Sequence, residues 1–370
     1  MPQQFSSIFR RYHWQDIEQA IESKTSADVE RALCKQNLSP ADFQALLSPA
    51  AEQYLETMAQ KSRALTQQQF GHTMQLYAPL YLSNVCSNIC SYCGFSINNK
   101  LRRKTLDEAE ILAEAKALKR KGINNVLLVT GEAPKTVGVE YIERAIQILK
   151  VHFAQIHIEV QPLQGQEYGR LIASGMHGVS LYQETYHRAS YREHHTKGNK
   201  TNMDARLNAP DQIGQQGVHK IGLGVLLGLA NWRTDSLFCA LHLRHLQKHY
   251  WRTRYAISFP RLRPCAGDYT IKHPVTDRQL VQLITAWRLF DNTLDLNLST
   301  REQQDFRDAV CQLGITSMSA ESSTQPGGYA ENTQAALQQF EISDERSVEQ
   351  VHSMLNIKGL EVIHKDWHWA

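Results

Sequence analysis

The chain is poor in the features that would place it in a membrane, outside the cell or on nucleic acid. Among its 370 residues no run of about 20 apolar side chains occurs, so no segment is expected to span a bilayer. The opening residues, MPQQFSSIFRR, lack the apolar centre of a secretory signal. The formal net charge is only +3, which gives no argument for the concentrated basic face a nucleic-acid partner needs. Cysteine is scarce at seven residues, and Cys34, Cys239, Cys265 and Cys311 are scattered singly, so they read as packing or incidental thiols rather than a disulfide framework. These absences predict a cytoplasmic location with no membrane or nucleic-acid partner. The length allows one large domain with extensions, or two domains.

The remaining cysteine is concentrated. Cys86, Cys90 and Cys93 stand at C-x3-C-x2-C spacing in the run YLSNVCSNICSYCGF, residues 81–95. Two short gaps in one loop let three thiolates converge, as a metal or iron–sulfur centre requires. A cubane cluster has four irons, so three protein ligands leave one iron open to a small molecule's amino and carboxylate groups. A zinc site would want a fourth Cys or His nearby, and the nearest histidines are His72 and His152. Three unrelated core thiols are the bland alternative, since free cysteine is commonly buried. Three of them in eight positions, after an apolar run and before Gly94, favour the cluster.

Around this run the sequence alternates. Residues before 72 read as helices, one opened by Ser26, one by Ser39 with Pro40 in its first turn, and a long one over 50–70. Strands are expected at 76–82, 125–130, 156–161, 178–183, 220–228, 255–260, 294–299 and 314–319. Helices are expected at 106–121, 141–152, 168–174, 203–216, 235–250 and 277–290. This is the pattern of an α/β protein, a (β/α)8 barrel over residues 73–322, with an N-terminal helical extension, 1–72, and a C-terminal extension, 323–370, packed on it.

Such barrels build active sites just beyond the C-terminal ends of their strands, and that rule selects residues. Gly131 and Glu132 follow the second strand, where glycine admits close backbone approach and a carboxylate can accept from an ammonium group. Glu184, Tyr186 and His187 follow the fourth; the carboxylate could accept a ribose's hydroxyls or pair with a nearby arginine. Arg261 and Arg263 follow the sixth, Arg301 the seventh and Ser319 the eighth. An arginine there is a natural bidentate clamp for a carboxylate, unless a local acid claims it, and Arg301 is favoured because it follows its strand directly. The His- and cation-rich stretch 187–200, ending in Lys200, interleaves cations that repel a metal; it reads as a loop meeting carboxylate or phosphate, or as a solvated face. Gly222, Gly224 and Gly228 lie inside an apolar strand, so they predict a flat ring packed on that strand rather than a dinucleotide-binding turn.

With these residues in view the chain resembles the radical S-adenosylmethionine (SAM) superfamily. Within it, the chain resembles the tyrosine lyases of thiamine biosynthesis, the 2-iminoacetate synthase (ThiH) family. The segments that carry the likeness are the cysteine run, KTLDEAEI, LLVTGEAPK, EVQPL, YQETYH, KIGLGVLLGL, YAISFPRLRPC, LSTRE and TQPGGYAEN, spread over most of the chain. The resemblance implies that Cys86, Cys90 and Cys93 hold a 4Fe–4S cluster whose fourth iron takes SAM. It implies Tyr92 on adenine, Gly131 and Glu132 at the methionyl ammonium, Glu184 at the ribose, Lys200 among the cofactor-binding residues, and Arg301 with Ser319 on the carboxylate of L-tyrosine. Tyr186 and His187 are candidates for the phenol proton. The products implied are 2-iminoacetate, p-cresol, methionine and 5′-deoxyadenosine. The implied partners are the thiazole synthase ThiG and a flavodoxin- or ferredoxin-type electron donor. Other tyrosine enzymes of the superfamily, in hydrogenase maturation or deazaflavin synthesis, are the alternatives; the former carries a second cluster on C-terminal cysteines, and no cysteine follows Cys311 here. A zinc-stabilised binding protein is the alternative from another class.

Overall fold

Strand β1, Thr73–Ser83, is the seam on which the barrel closes. Its middle, Gln75–Tyr77, pairs in parallel with Ser317–Ser319, and its far end pairs with Val126–Thr130. The computed structural model describes residues 4–265, 269–330 and 338–364. Following β1 in chain order are β2, Asn125–Thr130; β3, Gln155–Glu159; β4, Gly178–Ser180; β5, Lys220–Gly224; β6, Arg254–Ser258; β7, Asp295–Leu298; and β8, Ser317–Ser319. Each pairs in parallel with the next and β8 returns to β1, giving a closed eight-stranded barrel. A ninth strand, β9, Glu361–Ile363, pairs with the first residues of β1 at the end away from the cysteine loop.

Helices precede and link the strands. The N-terminal set is α1, Phe5–Phe9; α2, Trp14–Glu22; α3, Ser26–Leu33; α4, Pro40–Leu47; and α5, Leu55–Phe70. Thr25 with Asp28 and Ser39 with Asp42 form reciprocal capping boxes that start α3 and α4. The long helix expected over 50–70 divides, because Pro49–Tyr54 winds as a tighter turn before α5 begins. Around the barrel run α6, Glu108–Arg120; α7, Val139–Leu149; α8, Gly165–Ser174; α9, Arg188–His194; α10, Met203–Gln215; α11, Trp232–His249; α12, Asp277–Phe290; α13, Gln304–Val310; and α14, Val348–Ile357. The N-terminal helices pack on α11 and α12; Phe43 lies 4.9 Å from the Trp287 ring and 4.6 Å from Phe290.

The last segment crosses the open end of the barrel. Arg307, fully buried, is paired with Asp344, which Arg346 also binds at 2.7 Å. Residues 338–340 lie over the cysteine loop, where Gln339 bonds to Thr324 and accepts from Gly94. The expected eighth strand shortens to β8 because Gly314 takes φ 146°, a turn conformation rather than a strand one. The Trp-rich tail at Trp367 and Trp369 lies outside the described residues. Among the described residues, no helix is long and apolar enough to cross a membrane.

Candidate active site

The cysteine loop is shaped by hydrogen bonds that the chain itself provides. Arg103 spans it, donating to the carbonyls of Asn84 (2.7 Å), Phe95 (2.8 Å) and Ser96 (2.7 Å). The Asn99 amide donates to the Cys93 and Gly94 carbonyls at 3.1 and 3.0 Å. Ile89–Cys90 pairs antiparallel with His195–Lys197, so the loop after β4 braces the loop after β1. Gly131 makes the last approach possible: a Cβ there would lie 2.3 Å from the Val85 carbonyl oxygen and 3.0 Å from the Cys86 Cβ. Gly131→Ala should therefore push the loop outward and reduce iron and sulfide incorporated on anaerobic reconstitution, with the fold retained. A full cluster complement in that variant would contradict the argument.

All three cysteines face one cavity at the C-terminal end of the barrel. Burial pushes the Cys90 thiol well above its ordinary value and the Cys93 thiol up to about 11. Such thiols become ligands only against a cation that displaces their protons. Among the described residues no three His, Cys, Asp or Glu side chains converge on a single metal-ion position. A lone zinc needs every donor within about 2.3 Å of one point. Three thiolates ligating separate irons of one cluster have no such requirement, so this donor set fits the cluster better than zinc.

Beside the cysteines stands an ionic network. Arg206, on α10, donates from Nη1 to Glu132 Oε1 at 3.0 Å, brings Nη2 within 3.6 Å of Glu184 Oε1, and donates from Nε to the Tyr182 carbonyl at 2.8 Å. Lys200 Nζ donates to Glu184 Oε1 at 2.6 Å, and the Asn88 amide donates to Glu132 Oε2 at 2.7 Å. Burial alone would raise the Glu184 carboxyl, but Lys200 and Arg206 outweigh it and hold the group below the usual carboxylate range. Glu184 itself has φ 70°, a conformation non-glycine residues rarely adopt. Buried Asp235 holds that bend by accepting from Thr185 Oγ1 at 3.0 Å and Tyr186 N at 2.6 Å.

Tyr92 is oriented rather than loose. Its hydroxyl lies 2.7 Å from His195 Nε2, and His195 Nδ1 lies 2.7 Å from the Tyr191 carbonyl. Burial, with Lys200 nearby, drives His195 down to about 2, so the ring is neutral; the hydrogen-bond pattern assigns its proton to Nδ1 and lets Nε2 accept from Tyr92.

Six charged side chains line the cavity: Glu132, Glu159, Glu184, Lys200, Arg206 and Arg301. Four of them pair with one another. Arg301 is one of the two left; Arg261 (3.0 Å) and Arg263 (3.1 Å), which do not line the cavity, are both committed to Glu302. The Arg301 guanidinium lies 3.4 Å from the Phe340 ring centroid and donates to the Arg261 carbonyl at 3.3 Å; no carboxylate pairs with it among the described residues. Ser319 Oγ accepts from Thr300 N at 3.0 Å and so supports the turn that carries Arg301. Glu159, the last residue of β3, has no hydrogen-bond donor among the described residues, and burial with Glu184 nearby pushes it up to about 7.

Two expected residues fall elsewhere. The Tyr186 hydroxyl bonds His242 Nδ1 at 2.9 Å and its ring stacks on Phe238; His187 packs 4.6 Å from Trp14 and bonds Ser190 at 2.8 Å. The bend at Glu184 and the grip of Asp235 turn residues 185–187 away from the cavity and toward α1 and α2. Tyr186→Phe should therefore leave turnover within about threefold, in the range of a substitution that removes only one distant hydrogen bond. The ring expected on the glycine strand is Tyr182: a Cβ on Gly224 would lie 3.0 Å from it. Cys34 is exposed, Cys239 and Cys311 are buried away from the cavity, and Cys265 does not line it.

The likeness to known proteins agrees with this site. Residues 80–234 match the Radical SAM superfamily and residues 258–361 the Biotin and Thiamin Synthesis associated domain. The chain is 50% identical to the 2-iminoacetate synthase of Escherichia coli K12 over 98% of this chain and 96% of that protein. It is 49% identical, over the same shares, to the protein of that name from Salmonella typhimurium. In fold it is similar to the FeFe-hydrogenase maturase HydG of Carboxydothermus hydrogenoformans, with a TM-score of 0.84 and 30% identity over 95% of this chain and 80% of that one. A three-cysteine loop over a closed barrel, matched along its length by these relatives, is a radical SAM carbon–carbon lyase, and the chain belongs to the 2-iminoacetate synthase family.

Proposed function

We propose that the cavity binds L-tyrosine beneath SAM and cleaves its Cα–Cβ bond to 2-iminoacetate and p-cresol, supplying the thiazole of thiamine. The observation that carries this reading is one cavity holding both the three-cysteine loop and an arginine with no carboxylate partner among the described residues. When bound, the cluster with SAM supplies a primary carbon radical and releases methionine and 5′-deoxyadenosine. The chain's own residues bind, orient and exclude water. Cys86, Cys90 and Cys93 hold the cluster. Tyr92 packs on adenine with its hydroxyl fixed by His195, Glu184 meets the ribose with Lys200 neutralising it, and the Gly131–Glu132 turn meets the methionyl ammonium. Arg301, braced through Ser319 and Thr300, clamps the substrate carboxylate as a bidentate fork.

Closure over the site by residues 338–340 limits solvent, which a primary radical would attack. The imine product hydrolyses in water, which favours direct transfer to a docked acceptor, the thiazole synthase ThiG. The electron is taken to come from a flavodoxin or ferredoxin in the cytoplasm. The test is growth of a bacterial strain lacking its own 2-iminoacetate synthase. The chain should remove the requirement for added thiazole and Cys90→Ala should not. Continued dependence on thiazole, with the chain expressed and cluster-loaded, would count against the reading.

A further inference from the structure

Of the two cavity charges without an ionic partner among the described residues, Arg301 has a role in the reading above and Glu159 has none. Glu159 ends β3 and Arg301 follows β7, four strands apart in a ring of eight, so the anion and the cation stand on opposite walls. A carboxylate in a largely buried site with no donor is uncommon and calls for a ligand. The residue is no accident of a loop end. In β3 the side chains of His157 and Glu159 alternate with Ile156 and Ile158, which are fully buried, and Glu159 lines the cavity while His157 lies deeper on the same face. An α-amino acid is the class of molecule that asks for one free cation and one free anion in a single pocket.

The reaction's balance adds a requirement. L-Tyrosine as a zwitterion becomes p-cresol, 2-iminoacetate and one proton. The Cα–Cβ bond breaks and the nitrogen loses two hydrogens; one is lost as a hydrogen atom that ends on 5′-deoxyadenosine, and the benzylic carbon gains its hydrogen as one electron from the flavodoxin- or ferredoxin-type donor plus one proton. The other nitrogen hydrogen leaves as the proton, and its electron pair stays on nitrogen. A base must therefore stand beside the substrate nitrogen.

We propose that Glu159 is the counterion of the substrate's ammonium group and accepts that proton; this rests on the tyrosine-lyase reading. The neighbouring groups support it. Burial and Glu184 raise the Glu159 carboxyl to about 7, against the opposing pull of Arg301, Lys200 and Arg206, while the phenols of Tyr77, Tyr81 and Tyr182 also face it. An ammonium group is a much weaker acid than an ordinary carboxyl, so transfer to a carboxylate raised in this way is less uphill than to an ordinary one.

The test uses cluster-loaded enzyme with SAM and no reductant, titrated calorimetrically with L-tyrosine and with 3-(4-hydroxyphenyl)propionate, which lacks only the amino group. Glu159→Gln keeps the side chain's size, and its cluster absorbance reports folding. It should weaken tyrosine about 10- to 100-fold, the loss of one charge-assisted bond, and change the propionate by less than about threefold. In turnover, wild-type kcat/KM should fall as pH drops through about 7, where the base becomes protonated, and that limb should vanish in Glu159→Gln. Equal losses for both ligands, no loss for tyrosine, or an unchanged acid limb would each overturn the assignment. A wild-type enzyme that makes no p-cresol from tyrosine would instead overturn the lyase reading beneath it.

Discussion

Replacing Arg301 by lysine should lower kcat/KM for L-tyrosine by about 10² to 10³, the usual range for removing one partner of a desolvated charged contact. The argument is one of elimination. Three arginines sit near the strand ends on this side, and Glu302 occupies Arg261 and Arg263. Arg301 is half-buried against Phe340 and the Arg261 carbonyl, with no acid to neutralise it among the described residues. Its own burial lowers its proton affinity, yet a guanidinium stays charged at any physiological pH. A carboxylate entering the cavity gains two parallel hydrogen bonds that lysine cannot reproduce. The split between parameters separates this from a merely structural effect. Cluster content and SAM binding should be unchanged, whereas KM for tyrosine rises. Loss of SAM binding in Arg301→Lys would move the residue's role to the cofactor.

The largest expected effect belongs to the cysteines. Cys86→Ala, Cys90→Ala and Cys93→Ala should each abolish SAM cleavage, with no measurable 5′-deoxyadenosine. Cys311→Ala should retain it, because that thiol is buried near α13 against the Asp308 carbonyl and does not line the cavity. The physical reason is that three protein ligands already leave one iron for SAM, and removing another opens a second iron and destabilises the cluster. Because the loop is held by Arg103 and Asn99 independently of metal, these variants should fold with wild-type helicity by circular dichroism. A cysteine variant that still cleaved SAM would end the cluster assignment.

The barrel and the cluster loop were legible because both are written locally. Strands such as 125–130 have a continuous apolar centre, here 126–129, and the cysteine spacing is a feature of eight consecutive positions. Glu132 and Glu184, just beyond strand ends, were legible through the barrel rule. What escaped was whatever depends on tertiary neighbours. Arg206 lies within a helix and reaches Glu132 and Glu184 only because α10 packs beside the loop after β4. Tyr186 and His187 follow a strand end as Glu184 does, but a buried aspartate on α11 turns them outward. Glu159 carried a signal that was available: period-two alternation in β3 puts it on the face opposite Ile156 and Ile158, and a charge there points into the barrel. The lid formed by residues 338–340 had no local signal, since Gln339 is held by backbone bonds to Thr324 and to Gly94, far from it in sequence.

The most direct test of the whole account is a single anaerobic time course with cluster-reconstituted enzyme, SAM, a reductant and L-tyrosine. It would quantify 5′-deoxyadenosine, p-cresol and glyoxylate, the hydrolysis product of 2-iminoacetate. The account predicts that all three rise together in equal amounts. Accumulation of 5′-deoxyadenosine without p-cresol, from enzyme whose cluster is intact, would contradict it.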